Sequence, residues 1–184
     1  MSLAPVKARR ILIAITGGIA AYKICNLCST LKKNGAEVRV IMTEMAKELV
    51  GPKTFQALTG HPVIDEDKVV WAQDGMDHIH LNEWAEVMLI APCTANTIAK
   101  LALGIADELV STTSLACPVP QIIAPAMNPT MWEKASVQRN IQTLEDDGFM
   151  IVPPEKGVVA CGHEGFGRLA AEAELLAALM KALK

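Results

Sequence analysis

Aromatic side chains are scarce in this sequence: one Tyr, three Phe and three Trp among 184 residues, 4% in all. The apolar content, 51% of the chain, is carried by Ala, Val, Ile, Leu and nine Met rather than by rings. Long hydrophobic runs are missing too. None approaches the roughly 18 to 20 residues of a membrane-spanning helix. The basic start (Lys7, Arg9, Arg10) leads into a run soon broken by Gly17 and Gly18, unlike a signal-peptide cleavage region. Charge of one sign is not in excess: 17 Lys and Arg against 20 Asp and Glu leave a net charge of −3, no basic field for wrapping nucleic acid. Cysteine does not form a disulfide framework, because Cys25, Cys28, Cys93, Cys117 and Cys161 are odd in number and irregularly spaced. A reduced, cytoplasmic setting is expected. The C-x-x-C of Cys25 and Cys28 has no second pair and falls in a helical stretch, so it reads as two small helix-core residues. No metal site is expected.

What is there is an apolar surplus. A mean hydropathy of +0.28 is high for one domain of this length, and a sheet buried on both faces or a subunit interface must absorb it. Residues 1–184 are read as one domain. Arg10 to Thr16 (RILIAIT) is a β-branched run that ends at Gly17-Gly18 and passes into a helical pattern from Ile19 to Asn34. Gly35 ends the helix, and Glu37 to Met42 reads as a second strand, so strand, helix and strand make a right-handed βαβ unit. Further apolar runs at Glu86 to Ala91, Val119 to Ala124 and Phe149 to Val152 alternate with helical stretches near Ala95 to Leu103, Asp107 to Ala116, Ser136 to Asp146 and Ala170 to Leu183. Such alternation predicts an α/β fold with an open parallel sheet and helices on both faces. The stretch from Pro52 to Asp77 is the least legible, and the Ala- and Leu-rich helix ending at Lys184 reads as a natural terminus.

Strand ends of an open parallel sheet are where ligands bind. Here they carry small and polar residues: Thr16-Gly17-Gly18-Ile19, Thr43, Pro92-Cys93-Thr94-Ala95-Asn96 and Pro125-Ala126-Met127-Asn128. The glycine turn is either a phosphate cradle at a helix N-terminus or a tight turn needing positive φ, and it matches neither the G-x-G-x-x-G nor the P-loop pattern. Thr94 and Asn128 are equally suited to capping helices. His78 and His80, if extended, share one side of the chain, as a general base or orienting group or as surface histidines. Ala160-Cys161-Gly162 opens a glycine-rich stretch that reads as a mobile flap, whose cysteine could donate a proton or attack an electrophile.

Five segments stand in order: T-G-G-I-A-A-Y-K (Thr16 to Lys23), H-I-x-L-x-x-W-A (His78 to Ala85), P-x-T-A-N-T (Pro92 to Thr97), P-A-M-N-x-x-M-W (Pro125 to Trp132) and A-C-G-x-x-G-x-G-R (Ala160 to Arg168). Together they resemble the flavin-dependent cysteine decarboxylase family over nearly the whole chain. The resemblance implies a flavodoxin-like, three-layer doubly wound sheet, FMN as cofactor, and a homotrimer or assembly of trimers with the flavin near a subunit interface. It implies that Gly17, Gly18 and Ile19 lie along the flavin, that Thr43, Thr94, Ala95, Asn96 and Thr97 hold its phosphate and ribityl chain, and that Ala126 and Met127 pack near the ring. His78, rather than His80, would be the base or orienting group. Asn128 would bind the substrate carboxylate, with Ala160, Cys161 and Gly162 beside the substrate and Cys161 as the acid completing a reduction. Pro92-Cys93-Thr94 departs from the Ala-Ser that relatives often have there.

The implied reaction is decarboxylation of 4'-phosphopantothenoylcysteine to 4'-phosphopantetheine in coenzyme A biosynthesis. Thiol oxidation creates the electron sink that lets CO2 leave, and the ene-thiol is then reduced by the same flavin. The alternatives are a peptidyl-cysteine decarboxylase of modified-peptide biosynthesis, which would not need the acid, and a non-enzymatic flavoprotein regulator, which would lack it.

Overall fold

A computed structural model describes residues 4–65, 77–158 and 162–184. In chain order its elements are β1 (Arg10–Ile15), α1 (Ala21–Lys33), β2 (Glu37–Met42), α2 (Glu44–Leu49), α3 (Pro52–Thr59), α4 (Asp77–Trp84), β3 (Val87–Cys93), α5 (Ala95–Ala102), α6 (Leu109–Leu115), β4 (Gln121–Pro125), α7 (Pro129–Trp132), α8 (Ala135–Asp146), β5 (Met150–Ile151), β6 (Glu155–Val158), β7 (Glu164–Arg168) and α9 (Glu172–Ala182). The first five strands form one parallel sheet in the order β2-β1-β3-β4-β5. The last two form a separate antiparallel hairpin.

Alternation along β1 explains the layering. Ile11, Ile13 and Ile15 face a core shared with Ile24 and Leu27 of α1, Phe55 of α3 and Leu179 of α9. Leu12 and Ala14 face a second core with Leu81 of α4, Ile98 of α5, Val110 of α6 and Ile141 of α8. A strand buried on both sides must be apolar at every position, and β3 is buried at all seven. The fold is therefore the expected flavodoxin-like α/β/α arrangement, and part of the apolar surplus lies in these two cores.

The chain winds one way from β1 to β2 and the other way from β1 to β3 onward, so the crevice opens between the carboxyl ends of β1 and β3. Thr16 clamps it. Its buried hydroxyl donates to the Pro92 carbonyl at 2.7 Å and accepts from the Thr94 N–H at 3.0 Å. Neither Gly17 nor Gly18 has positive φ, which corrects the tight-turn reading. What keeps Gly17 without a side chain is Met45 of α2, into which a Cβ would run.

The histidine segment is a second correction. Asp77–Trp84 is helical, so His78 and His80, two residues apart at about 100° per residue, project to different sides of α4 instead of sharing one. Cys25 and Cys28 lie within α1 as expected, with Cys28 fully buried and Cys25 packed against the same core. Burial, and secondarily the neighbouring Cys25, push the Cys28 thiol far above its ordinary range, so it is inert. Among the described residues no helix is long and apolar enough to cross a membrane.

Candidate active site

A cavity of about 600 Å³ lies at the crevice. Gly17, Gly18, Ile19 and Ala20 line it from the β1–α1 turn, Thr94 and Ala95 from the start of α5, and Ala126, Met127 and Asn128 from the end of β4. Each segment is a strand's carboxyl end, delivered by the parallel sheet to one edge. The capping alternatives for Thr94 and Asn128 are both realised. Thr94 Oγ1 accepts from the Thr97 N–H at 3.3 Å and lies 3.2 Å from Thr97 Oγ1. Asn128 Oδ1 accepts from the Thr130 N–H at 2.8 Å. Capping does not exclude these residues from a site, since a capped helix start also turns its free amides toward the crevice.

The described part of the glycine-rich stretch forms β7, which pairs with β6 and is fastened over this edge. Met127 N–H donates to the Gly167 carbonyl at 2.9 Å. Gly167 has φ +150, and a Cβ there would collide with the Met127 carbonyl. A Cβ on Gly165 would sit 2.7 Å from Pro129 Cβ. The glycines of β7 are thus required for close backbone approach rather than for looseness. At the hairpin base Arg168 donates to Glu155 at 2.5 Å, and the Ala171 N–H donates to the same carboxylate at 2.9 Å. Arg168 chiefly, with the Ala171 amide and the charge of Lys23, holds Glu155 below the usual carboxylate range. Cys161 and Ala160 lie outside the described residues. Gly162 is described, with φ +81, and is exposed.

The Flavoprotein family model matches residues 2–184. The chain belongs to the Flavoprotein family. It is 47% identical over 161 residues to the coenzyme A biosynthesis bifunctional protein CoaBC of Bacillus subtilis (strain 168), an alignment covering 88% of this chain and 40% of that protein. The chain therefore spans well under half the length of that curated relative. A solved structure of a cysteine-to-serine mutant of PPC decarboxylase, complexed with pantothenoylaminoethenethiol, is 29% identical with a TM-score of 0.85, covering 94% of this chain and 97% of that one. The FMN-dependent cysteine decarboxylase SpaF is 35% identical with a TM-score of 0.82, covering 99% and 97%. The family resemblance read from the five motifs thus holds.

Within this Flavoprotein fold, eight of the expected residues come together at the cavity: Gly17, Gly18, Ile19, Thr94, Ala95, Ala126, Met127 and Asn128. Others are not among the described lining residues. Thr43 caps α2, its Oγ1 accepting from the Ala46 N–H at 3.3 Å. Thr97 is buried beneath Thr94, and Asn96 follows in the first turn of α5. His78 is half-buried on α4, a helix tied to α6 by the Asn82 Nδ2 bond to the Thr113 carbonyl at 2.9 Å, and is not among the described lining residues. His80 is turned to Glu83, 3.8 Å away. Sequence reasoning missed Tyr22, Lys23, Met131, Val158 and Arg168 as lining residues. The signal for the first two was available: they follow the glycine turn on the first turn of α1, at the same crevice.

Proposed function

We propose that this domain uses FMN to decarboxylate 4'-phosphopantothenoylcysteine to 4'-phosphopantetheine in coenzyme A biosynthesis, in the cytoplasm and as a homotrimer. The observation that carries the reading is the convergence of Gly17-Gly18, the capped start of α5 and Ala126-Met127-Asn128 on one cavity, under a hairpin that continues from the Cys161 motif. The 47% identity to CoaBC favours this substrate over a peptidyl cysteine.

The residues present suit the cofactor. The cavity volume, about 600 Å³, lies within the roughly 300 to 1,000 Å³ of small-molecule sites. Ile19, Met127, Met131, Val158 and Leu169 offer an apolar wall for a planar ring, while the amides and hydroxyls at the start of α5 suit a phosphate. FMN bound there would supply hydride-transfer chemistry, in both directions, to the cysteine side chain. Asn128 holds the carboxylate through an uncharged amide, which orients it without the ion pair that would stabilise the charge about to leave as CO2. Cys161 delivers the proton that completes the reduction. His78 acts as base or orienting group on the thiol. His78 is not among the described residues that line the cavity of its own chain, which supports a role at the site of an adjoining subunit.

The test is incubation of FMN-loaded protein with 4'-phosphopantothenoylcysteine and mass detection of products. Release of CO2 with 4'-phosphopantetheine is expected. Turnover only of a C-terminal peptidyl cysteine would transfer the protein to the peptide-modifying enzymes. Failure to bind FMN on reconstitution would overturn the flavin reading.

A further inference from the structure

Asn128 is reached from the hairpin by a side chain to which no role has been given. His163 Nδ1 lies 3.3 Å from Asn128 Nδ2. The orientation of the amide is fixed independently, since Oδ1 accepts the Thr130 N–H at 2.8 Å. Nδ2 is therefore the atom turned to the imidazole, and an amide nitrogen only donates. The contact is a hydrogen bond only if Nδ1 carries its lone pair, which makes His163 the neutral tautomer with its proton on Nε2.

The approach is built into the backbone. Three contacts bring β7 against Met127–Pro129: the Met127 to Gly167 hydrogen bond at 2.9 Å, the bare Cα of Gly167 beneath the Met127 carbonyl, and the bare Cα of Gly165 against Pro129. His163 immediately precedes β7, so the strand that is locked in place carries the imidazole to the amide.

We propose that His163 is a positioning residue for Asn128. It holds the amide from the side opposite the helix cap, so that the N–H edge is kept as a donor toward the carboxylate of the cysteinyl substrate. The inference rests on the decarboxylase reading, in which Asn128 binds that carboxylate. Loss of the hydrogen bond is expected to weaken substrate binding roughly three- to tenfold, equivalent to about 0.6 to 1.4 kcal/mol, the size of one ordinary hydrogen bond. The carboxylate is still intact while the cysteine thiol is oxidised, so through that step the interaction acts alike on bound substrate and transition state, and its loss falls on KM with kcat little changed.

Steady-state kinetics on FMN-loaded protein with 4'-phosphopantothenoylcysteine decides it. His163→Ala is expected to raise KM roughly three- to tenfold. His163→Asn returns an acceptor oxygen near the Nδ1 position and is expected to restore KM to within about twofold of the unaltered protein. The Asn128→Ala and Asn128→Ala/His163→Ala proteins are expected to share one KM, because His163 then has nothing to position. FMN affinity, read by flavin fluorescence, should be the same throughout. Equal losses for His163→Ala and His163→Asn, additive losses in the double variant, or a weakened flavin affinity would each overturn the positioning role while leaving the decarboxylase reading intact. Absence of turnover by the unaltered protein would overturn that reading and this inference with it.

Discussion

Thr16 couples two strand ends through one hydroxyl. It is buried, donates to Pro92 and receives Thr94, so it sets the separation of the β1 and β3 termini that frame the cavity. Thr16→Val keeps the shape but strands the Thr94 N–H and leaves the Pro92 carbonyl only its longer bond from the Thr16 N–H at 3.3 Å, and is expected to cost about 1 to 3 kcal/mol in urea unfolding and to weaken FMN binding. An unchanged unfolding midpoint would show that water or another group replaces the hydroxyl. The acid role proposed for Cys161 is separable from that clamp. Cys161→Ser should still release CO2 yet accumulate the oxidised ene-thiol, detected by mass; normal formation of 4'-phosphopantetheine would remove the acid assignment. His78→Asn should abolish thiol oxidation, and a fully active variant would shift attention to His80.

Among the elements near the site, the hairpin of β6 and β7 and the helix α4 were hard to read in sequence, for different reasons. The sheet strands were readable because double burial forces continuous β-branched runs such as RILIAI and EVRVIM. The hairpin has no such pattern: Glu155, Gly157, Gly165 and Gly167 serve backbone contact and charge pairing, which leave no hydrophobic period. Helix α4 reads D-H-I-H-L-N-E-W, with Leu81 fully buried while Ile79 stays exposed, and this apolar, polar alternation mimics a strand. The site was legible wherever a strand ended in small polar residues and illegible where the lining comes from helix faces or the hairpin. Two tests belong to this scale. Gly167→Ala should displace the hairpin and depress turnover sharply while far-ultraviolet circular dichroism stays unchanged. Glu155 has a depressed folded pKa, so the stability it lends is present above the ordinary glutamate range, near pH 4.3, and is lost as pH falls through the lower folded value. Protection factors of the β6 and β7 amides, referred to the intrinsic exchange rate at each pH, should therefore fall on acidification ahead of those in β1 and β3, and Glu155→Gln should remove that difference.

For the molecule as a whole, the two cores account for much of the apolar composition but not for the cavity rim. Ile19 and Tyr22 are each 59% exposed and Val158 64%, and all three line the site. Met45, 61% exposed, lies beside Gly17. Apolar side chains gathered at a ligand cavity are the expected signature of a surface completed by cofactor and a second copy. Light scattering of FMN-loaded protein should give three times the 19.7 kDa of one chain, and a stable flavin-loaded monomer would contradict the assembly. The sheet order has a further consequence, for the time at which this protein becomes safe in a cell. Strand β1 is an interior strand, but its register partner to Ile11 on one side is Val87, 76 residues later. At about 5 to 20 residues per second of synthesis, one flank of RILIAI remains unpaired for roughly 4 to 15 s after it is made. A strand enclosed on both sides in the finished fold is thus an open edge on the nascent chain, exposed to unwanted pairing until β3 emerges.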